Sequence, residues 1–398
     1  MDRQRCAMEG VVMQQRPTSS FAGLRVLITG HTGFKGSWLA LWTQSLGAEV
    51  FGYSSGVPTT PSNYTASKVS EILAGEVRAD ICDRDRVRTA VGDIRPDVVF
   101  HLAAQPIVKT SYESPCDTFE TNVMGTAHLL DAIRQAGRPC SVVVVTSDKC
   151  YENSGSENRF SERDRLGGHD PYSTSKAAAE LVVASYRRSF FPAACLAEHG
   201  VKLATVRAGN VIGGGDWADC RILPDAARAL SAGQPVFVRS PNSVRPWQHV
   251  LDALGGYLLL AANMVGSDDP RWCDGWNFGP AAESEIPVSQ LIALFCDSWG
   301  DGRWQDCSDS NPPHEAKTLR LSIEKAKLQL DWQPQWTVAE AVRRTAGWYR
   351  QFYTADGGGS MRAACLADIS DYEKLPNGAA VACPSTSLPE KHPTTPAP

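Results

Sequence analysis

A short apolar strand followed by a glycine-rich turn, near the start of the chain, constrains the fold more than any other feature. Residues 24–29 form a β-branched run that predicts a buried parallel strand, and Gly30-His-Thr-Gly-Phe-Lys-Gly36 follows it. Apolar residues with helical spacing then occupy positions 37–46. Glycines at such a turn let the backbone approach a pyrophosphate, and the helix N-terminus offers free N–H groups and a positive dipole end. The segment therefore predicts a dinucleotide-binding strand–turn–helix unit.

Apolar runs of strand length alternate with helical patterns from this turn to the middle of the chain. The predicted strands lie at 49–53, 97–102, 142–146 and 202–207, and two strong helices lie at 122–135 and 172–188. Such alternation predicts an α/β fold, in which a doubly wound parallel sheet of the Rossmann type carries helices on both faces. Beyond residue 208 the elements become shorter and richer in glycine, proline and tryptophan, which predicts a smaller C-terminal α/β substrate domain.

We accordingly divide the 398-residue chain into four parts. We expect a flexible extension at 1–22, a nucleotide-binding domain at 23–208, an interleaved smaller domain at 209–353 and a disordered tail at 354–398. A return to the sheet of the first domain is expected near 235–262. The tail is rich in Gly, Pro, Ala, Ser and Thr, so it cannot bury enough apolar surface to offset its chain entropy.

Composition and charge exclude several classes of protein. The formal net charge is −5 and Lys and Arg are not clustered, so nucleic acid and anionic membranes are not expected partners. No apolar run approaches the roughly 20 residues that span a bilayer, and the N-terminal stretch does not resemble a secretory signal, so we expect a cytoplasmic protein. None of the 12 cysteines lies in a C-x-x-C pair or at zinc spacing, so no metal is expected.

Five side chains with acid/base chemistry are expected to meet at one edge of the predicted sheet. Tyr172 and Lys176 share a helix face, and an ammonium beside a phenol stabilises the phenolate for alcohol–ketone chemistry. Ser147, Asp148 and Lys149 directly follow a β-branched strand, and open α/β sheets bind ligands at the carboxyl ends of their strands. Each residue alone also fits a surface pair or a strand-end cap. Their order behind the glycine turn favours a catalytic crevice.

The position that usually distinguishes NAD from NADP is uninformative in this chain. An acidic residue is expected about 20 residues beyond the glycine turn, but the strand there ends in Gly52-Tyr-Ser-Ser55. No arginine is present at that point to hold a 2′-phosphate, so these residues leave the choice open. Asp80 and Ile81 follow the next expected strand, where they would either contact the adenine or form an ordinary turn.

The order of these motifs resembles that of the extended short-chain dehydrogenase/reductases, over about residues 24–353. The shared order is T-G-x-x-G-x-x-G, His101-Leu-Ala-Ala104, Asn122, Ser147 and Tyr172/Lys176. Within this group, longer strings are similar to those of CDP-glucose 4,6-dehydratases. These strings are Gly30-His-Thr-Gly-Phe-Lys-Gly36, Ser147-Asp-Lys-Cys-Tyr151, Arg207-Ala-Gly-Asn-Val-Ile-Gly-Gly-Gly-Asp-Trp217 and Arg245-Pro-Trp-Gln-His249.

This resemblance implies NAD as the cofactor, a nucleotide sugar as the substrate, and a homodimer or dimer of dimers built through the helices at 122–135 and 172–188. The residues implied for NAD binding are Gly30, Thr32, Gly33, Phe34, Lys35, Gly36, Asp80, Ile81, Leu102, Ala103, Ala104, Tyr172 and Lys176. Those implied for the nucleotide sugar are Gln105, Asn210, Arg221, Arg245 and His249. An arginine suits a diphosphate because its fork donates two hydrogen bonds.

The implied reaction converts CDP-glucose to CDP-4-keto-6-deoxyglucose by an internal redox cycle. Tyr172 would take the C4 hydroxyl proton as hydride leaves C4 for NAD, Lys176 would hold the nicotinamide ribose and tune Tyr172, and Ser147 would bind the C4 oxygen. Water would then leave across C5–C6, with Asp148 as the acid near C6, before hydride returns to C6. Lys149, where related dTDP-glucose dehydratases have glutamate, would take or relay the C5 proton if burial or a neighbouring cation lowers its pKa.

Two other interpretations are compatible with these motifs. The nearer one is another extended enzyme, such as a dTDP- or GDP-sugar 4,6-dehydratase or a 4-epimerase. An epimerase needs Tyr172 and Lys176 but no Asp148-Lys149 pair, so that pair favours elimination. A different class is a non-catalytic sensor of NAD or of a nucleotide sugar. Such proteins often lose the Tyr or the Lys, and both are present in this chain.

Overall fold

A seven-stranded parallel sheet lies at the centre of the protein, in a computed structural model that describes residues 21–153, 155, 159–308, 319–354 and 360–375. The strands are β1 Arg25–Thr29, β2 Glu49–Ser54, β3 Gly75–Arg78, β4 Val98–His101, β5 Cys140–Val145, β6 Val201–Arg207, β7 Val211–Ile212, β8 Val236–Val238, β9 Val244–Pro246, β10 Gln248–His249, β11 Gly275–Asn277, β12 Glu285–Pro287 and β13 Trp304–Asp306. The order in the central sheet is β11-β6-β5-β4-β1-β2-β3. The order reverses at β1, so a crevice forms at the carboxyl ends of β1 and β4. The predicted doubly wound sheet is confirmed.

Helices cover both faces of this sheet. They are α1 Phe34–Ser45, α2 Asn63–Ala66, α3 Arg84–Ile94, α4 Val108–Glu113, α5 Pro115–Phe119, α6 Gly125–Ala136, α7 Pro171–Ser189, α8 Leu196–His199, α9 Ile222–Ser231, α10 Val250–Gly266, α11 Val288–Trp299, α12 Glu324–Leu330, α13 Val338–Thr354 and α14 Arg362–Lys374. Alternate strand residues point to opposite faces: Leu27 and Val142 are buried with α3 and α6, whereas Ile28 and Val143 are buried with α1 and α10. Among the described helices, none is both long and apolar enough to cross a membrane.

The chain beyond β6 adds short paired strands beside the sheet, in which β7 pairs with β10 and β9 with β12. The expected return to the sheet near residues 235–262 is wrong for the strand at 236–238, whereas residues 250–262 do pack on the central sheet, as a helix. Val236–Val238 pairs with Trp304–Asp306 instead, and Val250–Gly266 forms the buried helix α10. The strand that does return is Gly275–Asn277, parallel to β6. An apolar segment that is buried on all sides has no period that separates a helix from strands, which explains the error.

A C-terminal helix extends the fold beyond the predicted boundary at residue 353. α14 buries Cys365, Ile369 and Tyr372, and the ring of Tyr372 meets that of Trp42 on α1 edge-on, with centroids 5.5 Å apart. The prediction of disorder is therefore wrong for residues 362–374. These three anchors have helical spacing, but the Gly- and Pro-rich composition of the rest of the tail hides them.

The predicted extension and tail are described only in part. Phe21 is fully buried, so the expected flexible extension does not reach residue 22. Residues 1–20, 355–359 and 376–398 lie outside the described residues, and the predictions made for them stay predictions.

Candidate active site

The glycine turn brings β1, α1 and the loop after β4 into close contact. Gly30 has a left-handed backbone (φ 72°), and a Cβ there would lie 2.7 Å from the backbone nitrogen of Ala103. A Cβ on Gly36 would lie 2.2 Å from the carbonyl oxygen of Gly30. Gly33 is the N-cap of α1, and its N–H donates to Gly30 O at 3.0 Å. The turn therefore presents backbone rather than side chains beside the N-terminus of α1, as a pyrophosphate requires.

The loop after β4 is tied to the end of β1. The N–H of Leu102 donates to the carbonyl oxygen of Thr29 at 3.1 Å, and that of Ala103 donates to the Thr29 hydroxyl at 3.2 Å. Ala104 follows in the same half-buried loop. These predicted cofactor residues thus lie against the glycine turn.

Hydroxyl groups line the adenosine end of the predicted cofactor site. Thr32 Oγ1 donates to Gly56 O at 2.6 Å and lies 2.7 Å from Ser54 Oγ. The nearby carboxylate of Glu76, on β3, binds His31 Nε2 at 2.5 Å and is therefore already engaged within the protein. Glu76 could not be singled out from the sequence because β3 carries no motif.

Asp80 and Ile81 form a turn at the end of β3. The carboxylate of Asp80 accepts the backbone N–H of Cys82 at 2.9 Å, and its carbonyl accepts the phenol of Tyr53 at 2.7 Å. Ile81 is buried, and a Cβ on Gly125 would lie 2.6 Å from its side chain. The structure therefore shows the ordinary turn that was one of the two expectations. Contact with the adenine stays a prediction.

Gln105 is held in a network inside the protein. Its side-chain Nε2 donates to Thr118 Oγ1 at 2.9 Å, and its Oε1 accepts the backbone N–H of Ile107 at 2.6 Å. The buried carboxamide of Asn122 accepts the Gln105 N–H at 2.8 Å and donates to Ser175 Oγ at 2.9 Å. Asn122 thereby joins this loop to α7. The Gln105 side chain was expected to contact substrate, but in this structure it is engaged in hydrogen bonds within the protein.

α7 brings Tyr172 and Lys176 to the crevice. The helix begins at Pro171, whose missing N–H costs nothing in the first turn. Burial raises the pKa of Tyr172 to about 12, although a hydrogen bond with Ser147 opposes this rise. Lys176 is also buried, with Nζ 3.3 Å from Val145 O, and burial lowers its pKa to about 8. The two side chains expected to share a helix face therefore do so beneath the surface.

Ser147 and Asp148 meet α7 at the end of β5. Ser147 caps the short 3-10 helix Asp148–Cys150: its hydroxyl accepts the Lys149 N–H at 3.2 Å and donates to Asp148 Oδ1 at 2.9 Å. The carboxylate of Asp148 is buried so close to Gly209 that a Cβ there would lie 1.7 Å from Oδ2. Lys149, by contrast, is exposed. The structure therefore does not show the burial that was expected of Lys149 as a base.

Arg221 and Asn210 come to the same crevice from the chain beyond β6. Arg221 precedes α9 and binds Asp216 Oδ2 at 2.7 Å, and its charge acts on Tyr172. Asn210 has a left-handed backbone (φ 50°) next to the glycine that contacts Asp148. Asp216 was not singled out from the sequence, although it ends the run Gly213-Gly-Gly-Asp216.

Arg245 and His249 differ in their surroundings. Arg245 is half-buried on β9, and one of its guanidinium nitrogens donates to Val244 O at 2.9 Å. His249 is fully buried: Nδ1 caps α10 by accepting the Leu251 N–H at 3.2 Å, and the ring lies 4.6 Å from that of Trp336 between centroids. The expectation that His249 contacts substrate is corrected, since its ring belongs to the core.

An internal ion pair supports α7 one turn beyond Lys176. Glu180 receives two hydrogen bonds of 2.8 Å from Arg207, together with those of Thr146 at 2.5 Å and Thr205 at 2.7 Å. Arg207 also donates to the Tyr151 phenol at 2.6 Å. The pair joins α7, β5 and β6 below the crevice. Glu180 was not singled out from the sequence, although it stands four residues beyond Lys176 on the same helix face.

Comparison with known proteins assigns the chain to a family. It belongs to the NAD dependent epimerase/dehydratase family, whose model matches residues 26–273. It is 44% identical over 350 residues to the CDP-glucose 4,6-dehydratase of Salmonella typhimurium, with 88% of this chain and 96% of that protein covered. It is 25% identical to the structure of a dTDP-glucose 4,6-dehydratase from Streptomyces venezuelae with NAD bound, with a TM-score of 0.68 and coverage of 82% and 97%. A UDP-glucose 4-epimerase from Thermus thermophilus in complex with NAD is also 25% identical, with a TM-score of 0.67 and coverage of 82% and 99%.

The prediction of NAD as the cofactor is confirmed by this family and by these NAD-bound relatives. The turn itself fits the group. Cβ atoms at Gly30 and Gly36 would collide with neighbouring backbone, so only glycine preserves the close approach of backbone that a diphosphate needs. Lys176, which the resemblance implies for the nicotinamide ribose, is buried, with Nζ 3.3 Å from the carbonyl oxygen of Val145.

Proposed function

We propose that this protein is a CDP-glucose 4,6-dehydratase, which converts CDP-glucose to CDP-4-keto-6-deoxyglucose. The observation that carries the proposal is the contact of Tyr172 with Ser147 and of Ser147 with Asp148. These contacts connect a phenol suited to alcohol oxidation with a carboxylate suited to dehydration through one buried hydroxyl. The name of the 44% identical relative supports the same reaction and the same nucleotide.

The first half of the reaction is oxidation at C4 of the sugar. Bound NAD would supply a hydride acceptor and a positive charge. Tyr172 accepts the proton of the C4 hydroxyl, the Ser147 hydroxyl orients the C4 oxygen, and Lys176 holds the nicotinamide ribose. The backbone of Gly30 and Gly33 holds the diphosphate. The raised pKa of Tyr172 makes its phenolate costly, so the positive charges of Lys176 and the cofactor are needed to favour proton transfer.

The second half is the loss of water across C5 and C6. The ketone acidifies the C5 hydrogen, and Asp148 donates a proton to the departing C6 hydroxyl. The proton collected by Tyr172 can reach Asp148 through Ser147, so the proton from the C4 hydroxyl leaves in the water. The C5 proton needs its own acceptor, for which Lys149 is the candidate from the sequence.

Arg221, Asn210 and Arg245 are proposed to hold the nucleotide diphosphate and sugar. The charge of Arg221 beside Tyr172 supports a role close to the reacting carbon. We propose the division into a NAD-binding domain at 23–208 and a nucleotide-sugar domain at 209–353 on the same basis, with α10 and β11 belonging to the first domain.

We also propose a homodimer through α6 and α7. Large apolar side chains are exposed on α7, at its C-terminal cap, and on the segment that leads into α6. They are Phe119, Met124, Leu181 and Phe190, with exposed fractions of 36%, 48%, 60% and 46%. A second copy would bury them. The cytoplasmic location predicted from the sequence stays a prediction.

The decisive experiment is mass spectrometry of the sugar nucleotide after incubation of the protein and NAD with CDP-, dTDP-, GDP- and UDP-glucose in separate reactions. Loss of one water from CDP-glucose alone, without accumulation of reduced cofactor, supports the proposal. If no sugar loses water, the dehydratase proposal is wrong. An isomer of unchanged mass would then indicate an epimerase.

A further inference from the structure

The segment at 55–62, between β2 and α2, is joined to the glycine turn and its helix at both ends. At the first end, the Thr32 hydroxyl donates to the carbonyl oxygen of Gly56 at 2.6 Å. At the second end, the buried carboxamide of Asn63 donates through Nδ2 to Ser37 Oγ at 3.0 Å. Most side chains between these two ends are exposed. The position of the segment beside the adenosine end of the cofactor site therefore depends on the two hydrogen bonds.

Ser37 connects Asn63 to the N-terminus of α1. The backbone N–H of Ser37 donates to Gly33 O at 2.9 Å, and its hydroxyl donates to Phe34 O at 2.9 Å. Because Asn63 donates to the same hydroxyl, the oxygen of Ser37 is engaged as acceptor and as donor, which fixes its orientation. A displacement of Asn63 would therefore disturb the first helical turn behind the residues that hold the diphosphate.

The C-terminal helix α14 caps the far end of α2. The last carbonyl groups of a helix have no partners within the helix, and α2 has only four residues. The N–H of Met361 donates to Ala66 O at 2.9 Å. The guanidinium of Arg362 donates to Ser67 O at 3.0 Å and to Lys68 O at 2.5 Å. A helix this short is not stable alone, so α2 depends on α14 for its position.

Asn63 also contacts α14 through the oxygen of its carboxamide. Asn63 Oδ1 accepts the Ser67 hydroxyl at 2.7 Å and lies 3.6 Å from Sγ of Cys365, which is fully buried on α14. Trp348 Nε1 donates to the same sulfur at 3.3 Å. The nitrogen of one side chain thus binds the helix of the glycine turn, while its oxygen faces α14.

We propose that Asn63 is a positioning residue for NAD, which acts through Ser37, and that through it NAD binding and the docking of α14 favour each other. Bound NAD fixes the glycine turn, Ser37 and Asn63 in the arrangement that α14 contacts. Docked α14 holds α2 in the arrangement that NAD needs. By thermodynamic linkage, the factor by which docked α14 raises the affinity for NAD equals the factor by which NAD favours docking. The inference concerns the cofactor alone and is independent of which nucleotide sugar the enzyme converts.

The test measures hydrogen exchange of α14 amides by mass spectrometry in the full-length protein, with and without NAD, and NAD affinity by calorimetric titration. In the unmodified protein, saturating NAD should slow the exchange of α14 by at least about fivefold. The amides of α11, which packs on α9 and α13, are the internal reference and should respond much less. A general stabilisation by the ligand would slow both helices equally.

Two variants and a matched control assign the effect to Asn63. Asn63→Leu keeps the shape of the side chain but not its hydrogen bonds, so NAD affinity should fall by at least about fivefold and NAD should no longer slow the exchange of α14. If this variant does not fold, as judged by circular dichroism, Ser37→Ala breaks the same connection from the other side and should give the same two results. Lys374→Ala removes an exposed pair with Asp371 within α14 and should behave like the unmodified protein.

Three results would overturn the inference. The first is exchange of α14 that NAD leaves unchanged in the unmodified protein. The second is equal slowing of α14 and α11, because NAD would then only stabilise the whole fold. The third is a variant at Asn63 or Ser37 in which NAD still slows α14, because the connection would then run through other residues. Failure of the unmodified protein to dehydrate CDP-glucose would refute the proposed function and leave these measurements unaffected.

Discussion

Glu180 and Arg207 form a two-pronged ion pair inside the protein, with both hydrogen bonds at 2.8 Å. Each carboxylate oxygen of Glu180 also accepts a threonine hydroxyl. The helix that carries Lys176 is thereby fastened to two strands of the sheet at one point. Because neither charge reaches water, each depends on the other for compensation.

Removal of one partner should therefore destabilise the fold strongly. Glu180→Ala leaves Arg207 buried without its counterion, and we expect the free energy of unfolding to fall by about 3–5 kcal/mol. Urea denaturation followed by circular dichroism measures this change. Glu113→Ala breaks an exposed pair with Lys109 and should cost about 0.5 kcal/mol or less. Equal losses in the two variants would contradict this account of Glu180.

Substitution of Gly36 should weaken NAD binding. The Cβ of Gly36→Ala would lie 2.2 Å from Gly30 O, so the glycine turn must move away from the helix N-terminus. We expect at least a tenfold weaker affinity for NAD by calorimetric titration, which corresponds to about 1.4 kcal/mol. Gly92→Ala on α3 is the matched control. Its Cβ meets no atom, and its helix propensity improves, so its NAD affinity should be unchanged and its stability slightly higher.

Loss of the Tyr172 hydroxyl should abolish turnover while sparing the fold. Tyr172→Phe removes the group proposed to accept the C4 proton, so we expect product formation to slow by about 10²–10⁴-fold. Steady-state assays with CDP-glucose measure this, and NAD titration checks that the cofactor still binds. Tyr186→Phe, on the same helix, loses only a long hydrogen bond of 3.4 Å and should keep near-normal activity. A fully active Tyr172→Phe protein would remove Tyr172 from the mechanism.

Asp252 should make stability fall as pH rises. It is fully buried on α10, Oδ1 accepts the Tyr372 phenol at 2.9 Å, Oδ2 has no partner, and burial raises its pKa to about 7. In the unfolded chain an aspartate has a pKa of about 3.9. Between about pH 3.9 and pH 7 the native state therefore keeps a proton on Asp252 that the unfolded state has lost. The stabilisation that this proton gives is lost as the pH increases to about 7. The full window corresponds to roughly 4 kcal/mol at most.

The measurement is urea denaturation of the unmodified protein and Asp252→Asn at several pH values. The asparagine stays neutral, so the stability of the variant relative to the unmodified protein should increase from pH 4 to pH 7 and then level off. A difference that does not change with pH would show that Asp252 is ionised in the native state throughout.

Deletion of the C-terminal helix should expose part of the core. A chain that ends after Thr354 lacks Tyr372, which packs on Trp42 and Trp336 with centroids 5.5 and 5.3 Å apart. It also lacks Asp368, which binds Arg344 at 2.8 Å. We expect a loss of at least about 3 kcal/mol in unfolding free energy. A chain that ends after Leu375 should keep full stability, and equal behaviour of both truncations would make α14 dispensable.

The sequence predicted the parts of this protein that rest on local signals. The glycine turn and the spacing of Tyr172 and Lys176 depend on a few neighbouring residues, so they could be predicted without a structure. The surroundings of Lys35 could not be predicted in this way. Its assignment to the cofactor turn followed from sequence neighbours, whereas the charge of Arg221, about half the chain away in sequence, acts on it through the fold, and no local pattern encodes that effect.

Burial was the other quantity that the sequence could not supply. His249 and Lys149 were expected in the site because they stand in motifs, but one side chain is enclosed by tryptophans and the other is open to solvent. The same limitation affected α10, because its sequence is apolar on all sides and does not distinguish a helix from a strand. Which side of a residue faces water is decided by tertiary packing, and motif order carries little information about it.

The contact between α14 and α1 has a consequence for biosynthesis. The glycine turn and α1 are among the first described segments to leave the ribosome, yet Trp42 on α1 is covered by a helix that emerges hundreds of residues later. Until residue 374 has been translated, the outer side of α1 therefore stays exposed to water and to chaperones. The nucleotide-binding end of this enzyme is thus begun early in synthesis and completed only after release of its distant C-terminal partner.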